Sequence, residues 1–396
     1  MHRRFQLDLT RLPRETKLLL EIIKLENITV LSASQKEMFK HIDWELFLEL
    51  VFHHRIFPYI YSKITKLDEE LIPSYIVQTI SQYYRNNTFK MLQLCGEMEQ
   101  ISKLFIENEI NPLFLKGPVL ATDLYGDISL RTSGDLDVLI PIENLEIAEE
   151  LLQVAGYTKD DYIQTVLNDW KWRHHHFTYF HPKKGIKLEL HWRLNPAPSK
   201  EPTFKDLWDR KRTYSKTCFP VYFLGIEDLF LFLVTHGARH GWSRLRWLVD
   251  IQQLVKKGLD WGKLVHHLKK YRCDHIGGQA LILASQLLST PVVIEMWPIC
   301  KGKRPLKLAQ QAIFYIENIV HLHKNPLPPN VSKYHAHHLV SLMTIQQKLF
   351  NVISMFHPYH TDVQTLPLPK KWHFLYFLLR PFLLLKRRKK KYSLHS

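Results

Sequence analysis

The chain has 396 residues, 45% apolar and 23% charged, with 54 lysines and arginines against 38 acids for a net charge of +16. That length and composition fit two or three globular domains with a sizeable core and exclude a disordered or fibrous chain. Met1 to Lys17 carries five basic residues where a signal peptide would have its apolar core. No apolar run reaches the ~18 residues of a spanning helix, so a cytoplasmic protein without a transmembrane segment is expected. Cys95, Cys218, Cys273 and Cys300 are scattered without metal-ligand spacing, as in a reducing compartment. The positive charge admits nucleic acid, a nucleoside triphosphate or an acidic acceptor, and does not choose among them.

Residues 1–110 read as an N-terminal helical region. Leu18-Leu19-Leu20 with Ile22 and Ile23 forms one dense apolar segment, and Phe47, Leu50 and Val51 another. His53 and His54 sit among apolar neighbours and read as packing or capping residues. A helix is expected over residues 93–108, leading into a first strand.

Residues 111–195 form the expected catalytic core. Leu113-Phe114-Leu115 is a short apolar run broken by Lys116-Gly117, and Pro118 suits the first turn of a helix that Gly126 can end. Asp135 to Ile140 then alternates as a half-buried strand, with Leu136, Val138 and Ile140 on one face and Asp135 and Asp137 on the other. Two like charges so close point to a divalent cation. If both are exposed, removing one should leave stability unchanged or raise it in metal-free buffer.

Leu145 to Gly156 follows as a helix. Phe177 to Phe180 and Ile186 to Trp192 read as a hairpin across a turn that contains Gly185. Its second strand carries Glu189, which joins Asp135 and Asp137 if the two strands are neighbours. Three carboxylates so placed suit one or two magnesium ions and displacement at phosphorus.

The strand, Gly-bearing turn, helix, Asp-x-Asp strand and later acidic strand resemble the nucleotidyltransferase fold of DNA polymerase β relatives. Leu115-Lys116-Gly117, Leu124-Tyr125, Arg131, Asp135-Leu136-Asp137-Val138-Leu139, Gly156-Tyr157 and Glu189-Leu190-His191-Trp192-Arg193-Leu194 resemble the uncharacterised bacterial nucleotidyltransferase family. The likeness continues through His236-Gly237, His240, Trp242, Leu245, Trp247-Leu248 and Asp250, more weakly at His53 to Pro58, and spans residues 40 to 260. It implies an α+β protein: a polymerase β-like core, a small mixed sheet with helices, flanked by N- and C-terminal helical regions.

It also implies an enzyme moving a nucleoside monophosphate from an NTP to an acceptor, with release of pyrophosphate. ATP is the default donor, and two Mg2+ ions would lie on Asp135, Asp137 and Glu189. Lys116 and Gly117 would meet the triphosphate at the helix N-terminus. The wider superfamily has Gly-Ser there and this chain has Gly117-Pro118, so Lys116 or Ser133 would replace the serine contact. Arg131 would either neutralise a phosphate oxygen or anchor its loop. The acceptor stays open: a small molecule, a peptide or a protein.

Other motifs weigh less. His174-His175-His176 cannot easily share one metal, because neighbours in a strand alternate faces. His191 lies on the Glu189 face and can orient that carboxylate. His236 and His240, one helical turn apart, read as cleft or packing residues rather than metal ligands, and Asp250 pairs with an arginine such as Arg246.

Residues 196–396 are expected to be a C-terminal helical region with a basic tail, Lys386 to Lys391. Its apolar stretch, Phe374 to Leu385, reads as a last core helix, with peripheral docking on an anionic membrane as the alternative. Two rival functions remain: a catalytically silent nucleotide- or partner-binding module of the same fold, and an RNA-directed nucleotidyltransferase, which only the charge favours.

Overall fold

The computed structural model describes residues 5–26, 31–322 and 326–392, with side chains to Arg387. The side chains of Arg388 to Lys391, most of the expected basic run, lie outside the described residues. The longest element is the helix Ser74–Glu107, which follows Pro73 and runs for 34 residues, about 51 Å at the usual rise. It begins some way before the residues 93–108 expected from sequence. Its buried positions, Ile76, Ile80, Asn87, Met91, Leu94, Met98, Ile101 and Phe105, step by three, four or seven along one stripe. The first two lie in one apolar core and the last five apolar ones in another, so this single rod joins both.

The second core lies against a seven-stranded mixed sheet. Its strands are β1 (Leu113–Phe114), β2 (Asp135–Leu139), β3 (Thr158–Lys159), β4 (His176–His181), β5 (Ile186–His191), β6 (Arg212–Tyr214) and β7 (Val221–Phe223), in the order β3-β4-β5-β2-β1-β7-β6. β4 and β5 form the expected hairpin, and β5 lies parallel to β2. An α+β architecture is therefore present, but the sheet does not stop at residue 195. β6 and β7 come from the stretch expected to be helical, and β7 pairs parallel to β1. Three-residue strands are too short to show an alternating pattern, which is why they escaped the sequence reading.

The two helical regions are not separate bodies either. Leu18, Ile22, Phe47 and Ile60 share one apolar core with Leu229, Phe232, Leu248, Leu281 and Leu308. Polar ties reinforce it: His53 Nε2 lies 3.1 Å from the Ser243 carbonyl, and the Leu245 amide donates to His54 Nδ1. Helices from both ends of the chain thus form one body, and Arg55, Phe232 and His236 from it line one cavity with Asp135 and Glu189 of the sheet. No described helix is long and apolar enough to cross a membrane.

One buried ion pair fixes the loop that feeds β2. Arg131 donates from Nε and Nη2 to the two Asp250 oxygens at 2.8 and 2.9 Å, and both side chains are essentially unexposed. Asp250, on the helix Leu245–Lys257, also accepts from the Tyr125 hydroxyl at 2.7 Å. Arg246, expected to pair with Asp250, instead donates to the carbonyl and hydroxyl of Thr132. Asp250→Ala should therefore strand a buried guanidinium and cost about 3–5 kcal/mol. Urea unfolding of wild type and variant checks this, and a loss no larger than that of an exposed substitution would refute the role given to the pair.

Candidate active site

Leu136, Val138, Leu188 and Leu190 are wholly buried on one face of the sheet, which turns Asp135, Asp137 and Glu189 to the other. The parallel register then sets Asp137 beside Glu189 and Asp135 beside Lys187. The three carboxylates singled out in the sequence thus stand on two adjacent strands. Their exposure is unequal: the Asp135 side chain is 30% exposed and that of Glu189 15%, whereas Asp137 is fully enclosed. The expectation of two exposed aspartates is corrected by what covers Asp137. Lys116 Nζ lies 2.9 Å from its Oδ1, and His191 Nε2 lies 3.3 Å from the same oxygen.

Lys116 reaches that position because Gly117 turns the chain behind it. Gly117 has φ +82°, a conformation a side chain would strain, and it caps the helix Pro118–Tyr125 with proline in its first turn. Gly126, in the left-handed region, ends the helix as the sequence indicates. Lys187 serves the other two acids, 2.6 Å from Glu189 and 3.6 Å from Asp135.

These charges set the protonation states. Burial and the neighbouring Asp137 charge raise the Asp135 pKa above its ordinary value. Burial would also raise Asp137, but the Lys116 ammonium and the His191 hydrogen bond outweigh it and hold Asp137 low. Glu189 is likewise held low against burial by His191, His176 and Lys116. His191 is raised despite its burial, since it donates toward Asp137 and Glu189 while its Nδ1 faces the Arg193 carbonyl. Burial and the nearby His191 charge push His176 down to about 3, so it is neutral at physiological pH.

The carboxylates border a cleft of about 520 Å³ whose lining includes seven lysines and arginines but only two acids, Asp135 and Glu189. Lys116, His191, His236 and His240 are among its walls. The rings of His236 and His240 lie 4.7 Å apart and both meet Trp247, and neither belongs to a group of three metal-ligating atoms among the described residues. Arg131 does not reach the cleft, because Asp250 holds its guanidinium in the interior; the phosphate contact considered for it gives way to the anchoring role. Ser133 is buried and donates to the Asp135 carbonyl at 3.0 Å, so its hydroxyl braces the strand entry.

Arg55, Arg239 and Arg244 supply cleft cations that the sequence reading passed over. All three lay within or beside segments already quoted: Arg55 between His54 and Pro58, Arg239 between His236 and His240, and Arg244 just before Leu245. Burial holds each guanidinium below its ordinary pKa, a cost that an anionic ligand would relieve. His174 joins no group of metal-ligating atoms among the described residues, but its neighbours His175 and His176 converge. Both bring a ring nitrogen within 4.8 Å of one on His191, because β4 starts only at His176 and strand alternation does not govern His175. Arg239 Nη1 donates to His175 Nε2 at 3.3 Å. A second cavity of about 210 Å³, walled partly by Leu231, Tyr271, Ile276 and Leu342, shares Pro196 and Arg239 with the first.

The residues fit a hard divalent cation. Asp137 Oδ2 is buried with no hydrogen-bond partner, and ligand atoms of Asp137, Glu189 and His191 lie within 4.8 Å of one another. An orphaned carboxylate oxygen among further donors is what a magnesium or manganese ion would satisfy. A family model described as an uncharacterised nucleotidyltransferase matches residues 40–289, well over half of the chain. The chain belongs to that family. The match begins just ahead of the helix Trp44–His53 and runs through the helix Asp274–Leu288, so it includes every strand and the residues lining most of the cleft. Membership gives the chain a nucleotidyltransferase function of the general kind. No curated protein and no solved structure matches it.

The unequal burial yields a test that needs no substrate. Asp137→Asn deprives Lys116 and His191 of their shared anion and should lower the melting temperature in metal-free buffer at about pH 7, whereas Asp135→Asn should leave it unchanged or raise it. The signs with pH differ as well. Asp137, held low, contributes stability that is present above its unfolded value near 3.8 and is lost as the pH falls through its folded value. Asp135, held high, is a cost at neutral pH that fades as acid protonates it. Melting curves of both variants with a chelator, from neutral to acid pH, check the assignment; the reverse order of stabilities at neutral pH would overturn it.

Proposed function

We propose that this family member transfers a nucleoside monophosphate from an NTP, with ATP as the default donor, to an acceptor and releases pyrophosphate, on a polymerase β-like core. The observation that carries the reading is the pairing of β2 with β5, which brings Asp135 and Glu189 to the wall of a strongly cationic cleft beside the enclosed Asp137. Arg55, Arg244 and Lys116 would hold the triphosphate, their mutual repulsion offset by its negative charge. Two magnesium ions held by Asp135, Asp137 and Glu189 would neutralise the reacting phosphate and acidify the acceptor.

In the transfer, a nucleophilic oxygen or nitrogen of the acceptor bonds to the α-phosphorus. The bond to the bridging oxygen breaks, and pyrophosphate leaves with that oxygen. The acceptor's proton passes to Glu189, which is ionised, or to His176, which is neutral and 3.7 Å from it. His191 fixes the Glu189 and Asp137 carboxylates by donating between them. The acceptor would enter from the smaller, more apolar cavity that meets the cleft at Arg239. Its identity among small molecules, peptides and proteins is for experiment to find.

The two acids should separate kinetically. Glu189→Gln is expected to lower turnover by roughly two or more orders of magnitude and spare much of the nucleotide affinity, while Asp137→Asn weakens magnesium-dependent triphosphate binding too. Incubation with each labelled nucleotide, magnesium and a lysate of the source organism identifies the labelled acceptor. Nucleotide titration and turnover of the two variants then decide the roles, and a folded Asp137→Asn protein with normal turnover would sink the site.

A further inference from the structure

The last part of the chain is built inside out. Between Asn318 and Ser396 twelve lysines and arginines stand against a single acid, Asp362. Among the described residues, sixteen of the 28 exposed large apolar side chains fall between Ile345 and Leu385. They are not scattered. Along the helix Ile345–Ser354, Ile345, Leu349, Val352 and Ile353 recur at helical spacing, all exposed, with Ile345 at 86%.

The last helix, Tyr376–Tyr392, shows the same inversion more sharply. Its inward side carries engaged polar groups beside the buried Leu383. Tyr376 donates to the Leu366 carbonyl, Arg380 donates to the Met355 carbonyl and to Asp362, and Arg387 lies 2.7 Å from the other Asp362 oxygen. Phe374, just before the helix, and Leu378, Phe382 and Leu385 on it point outward at spacings of four, four and three, with Leu378 75% and Phe382 69% exposed. A helix that buries Arg380 and sets the half-buried Arg387 on the same aspartate while turning leucine and phenylalanine outward is arranged for an apolar medium. The two helices meet: Arg380 bonds Met355, just past the end of the first, and the His357 and Phe377 rings lie 5.2 Å apart.

We propose that this surface, the helices Ile345–Ser354 and Tyr376–Tyr392 together, is a docking face for an anionic lipid bilayer. The outward phenylalanines and leucines would enter the acyl boundary while the basic run Lys386 to Lys391 meets the negative headgroups. Charge selects this partner. The surface has no exposed acid of its own to balance its lysines, and Pro381 with the short apolar length suits lying along a membrane rather than crossing it. The inference goes beyond nucleotidyl transfer and does not depend on it, since it concerns where the enzyme works.

Flotation of the full-length protein with vesicles of phosphatidylcholine alone, and of an equal mixture with phosphatidylglycerol, tests it. Wild type should float with the anionic vesicles and weaken as salt rises. Leu378→Asp with Phe382→Asp should lose roughly tenfold or more of that binding, and Ile345→Asp on the other helix should weaken it as well. All three residues are exposed, so unchanged circular dichroism and melting confirm that folding is intact. Three results would overturn the proposal: no flotation of wild type at low salt, full binding by the Leu378 and Phe382 double variant, or vesicle-free dimers that the same variant dissociates. The last would make the face a contact between copies of the chain.

Discussion

Asp137 is a carboxylate with no exposure, and that is the constraint on which the rest of the site depends. A charge removed from water must be compensated nearby or neutralised. Here the compensation is Lys116 on one side and His191 on the other, each supplied by a different element. Lys116 can arrive only because Gly117 adopts a left-handed turn before the helix Pro118–Tyr125, and His191 only because β5 lies parallel to β2. The cationic turn, the strand pairing and the histidine are therefore the conditions under which that charge can stay buried. The same arrangement leaves Asp137 Oδ2 without a partner, so the compensation is incomplete at that oxygen.

Rigidity behind the site comes from outside the sheet. The loop Asp127 to Gly134 delivers β2, and it is held from two bodies at once. Asn87 on the long helix donates to the Ser129 carbonyl at 3.0 Å, and Asp250 on the helix Leu245–Lys257 grips Arg131. The first contact belongs to the rod joining both cores and the second to the helical body, so the loop is tied to both cores. Both apolar cores thus serve a loop of a few residues.

How much of this was legible in the sequence varied with the range of the signal. Alternation over Asp135 to Ile140 and Ile186 to Trp192 located three acids on strand faces, since period 2 is a local property. It could not reveal that Asp137 is enclosed, because the covering groups are Lys116 and His191, 21 and 54 residues away. Arg131 shows the same limit: a basic residue near two aspartates suggests a phosphate ligand, and its true partner, Asp250, is 119 residues distant. Arg246 was the natural guess for Asp250 because it lies one helical turn away on the same helix. The strands β6 and β7 failed for a different reason. They are too short to carry a period, and β7 is placed by a parallel pairing with β1 more than a hundred residues away that no local pattern shows.

The net charge of +16 turns out to be two populations with different physics. In the cleft, buried or half-buried cations face Asp135 and Glu189, and burial makes their repulsion costly, so the charge acts at short range and favours a compact polyanion. Past Asn318, twelve lysines and arginines stand against one acid in the sequence, and Lys348, Lys370, Lys371 and Lys386 are exposed in the stretch that also exposes leucine and phenylalanine, so their charge would act over about a Debye length and suit an extended anionic surface. A single sum over the chain hides that division, which is why it pointed equally to nucleic acid, a nucleoside triphosphate and an acidic acceptor. Only the folded arrangement, which encloses one population and leaves the other beside exposed leucine and phenylalanine, separates the ligands each can attract.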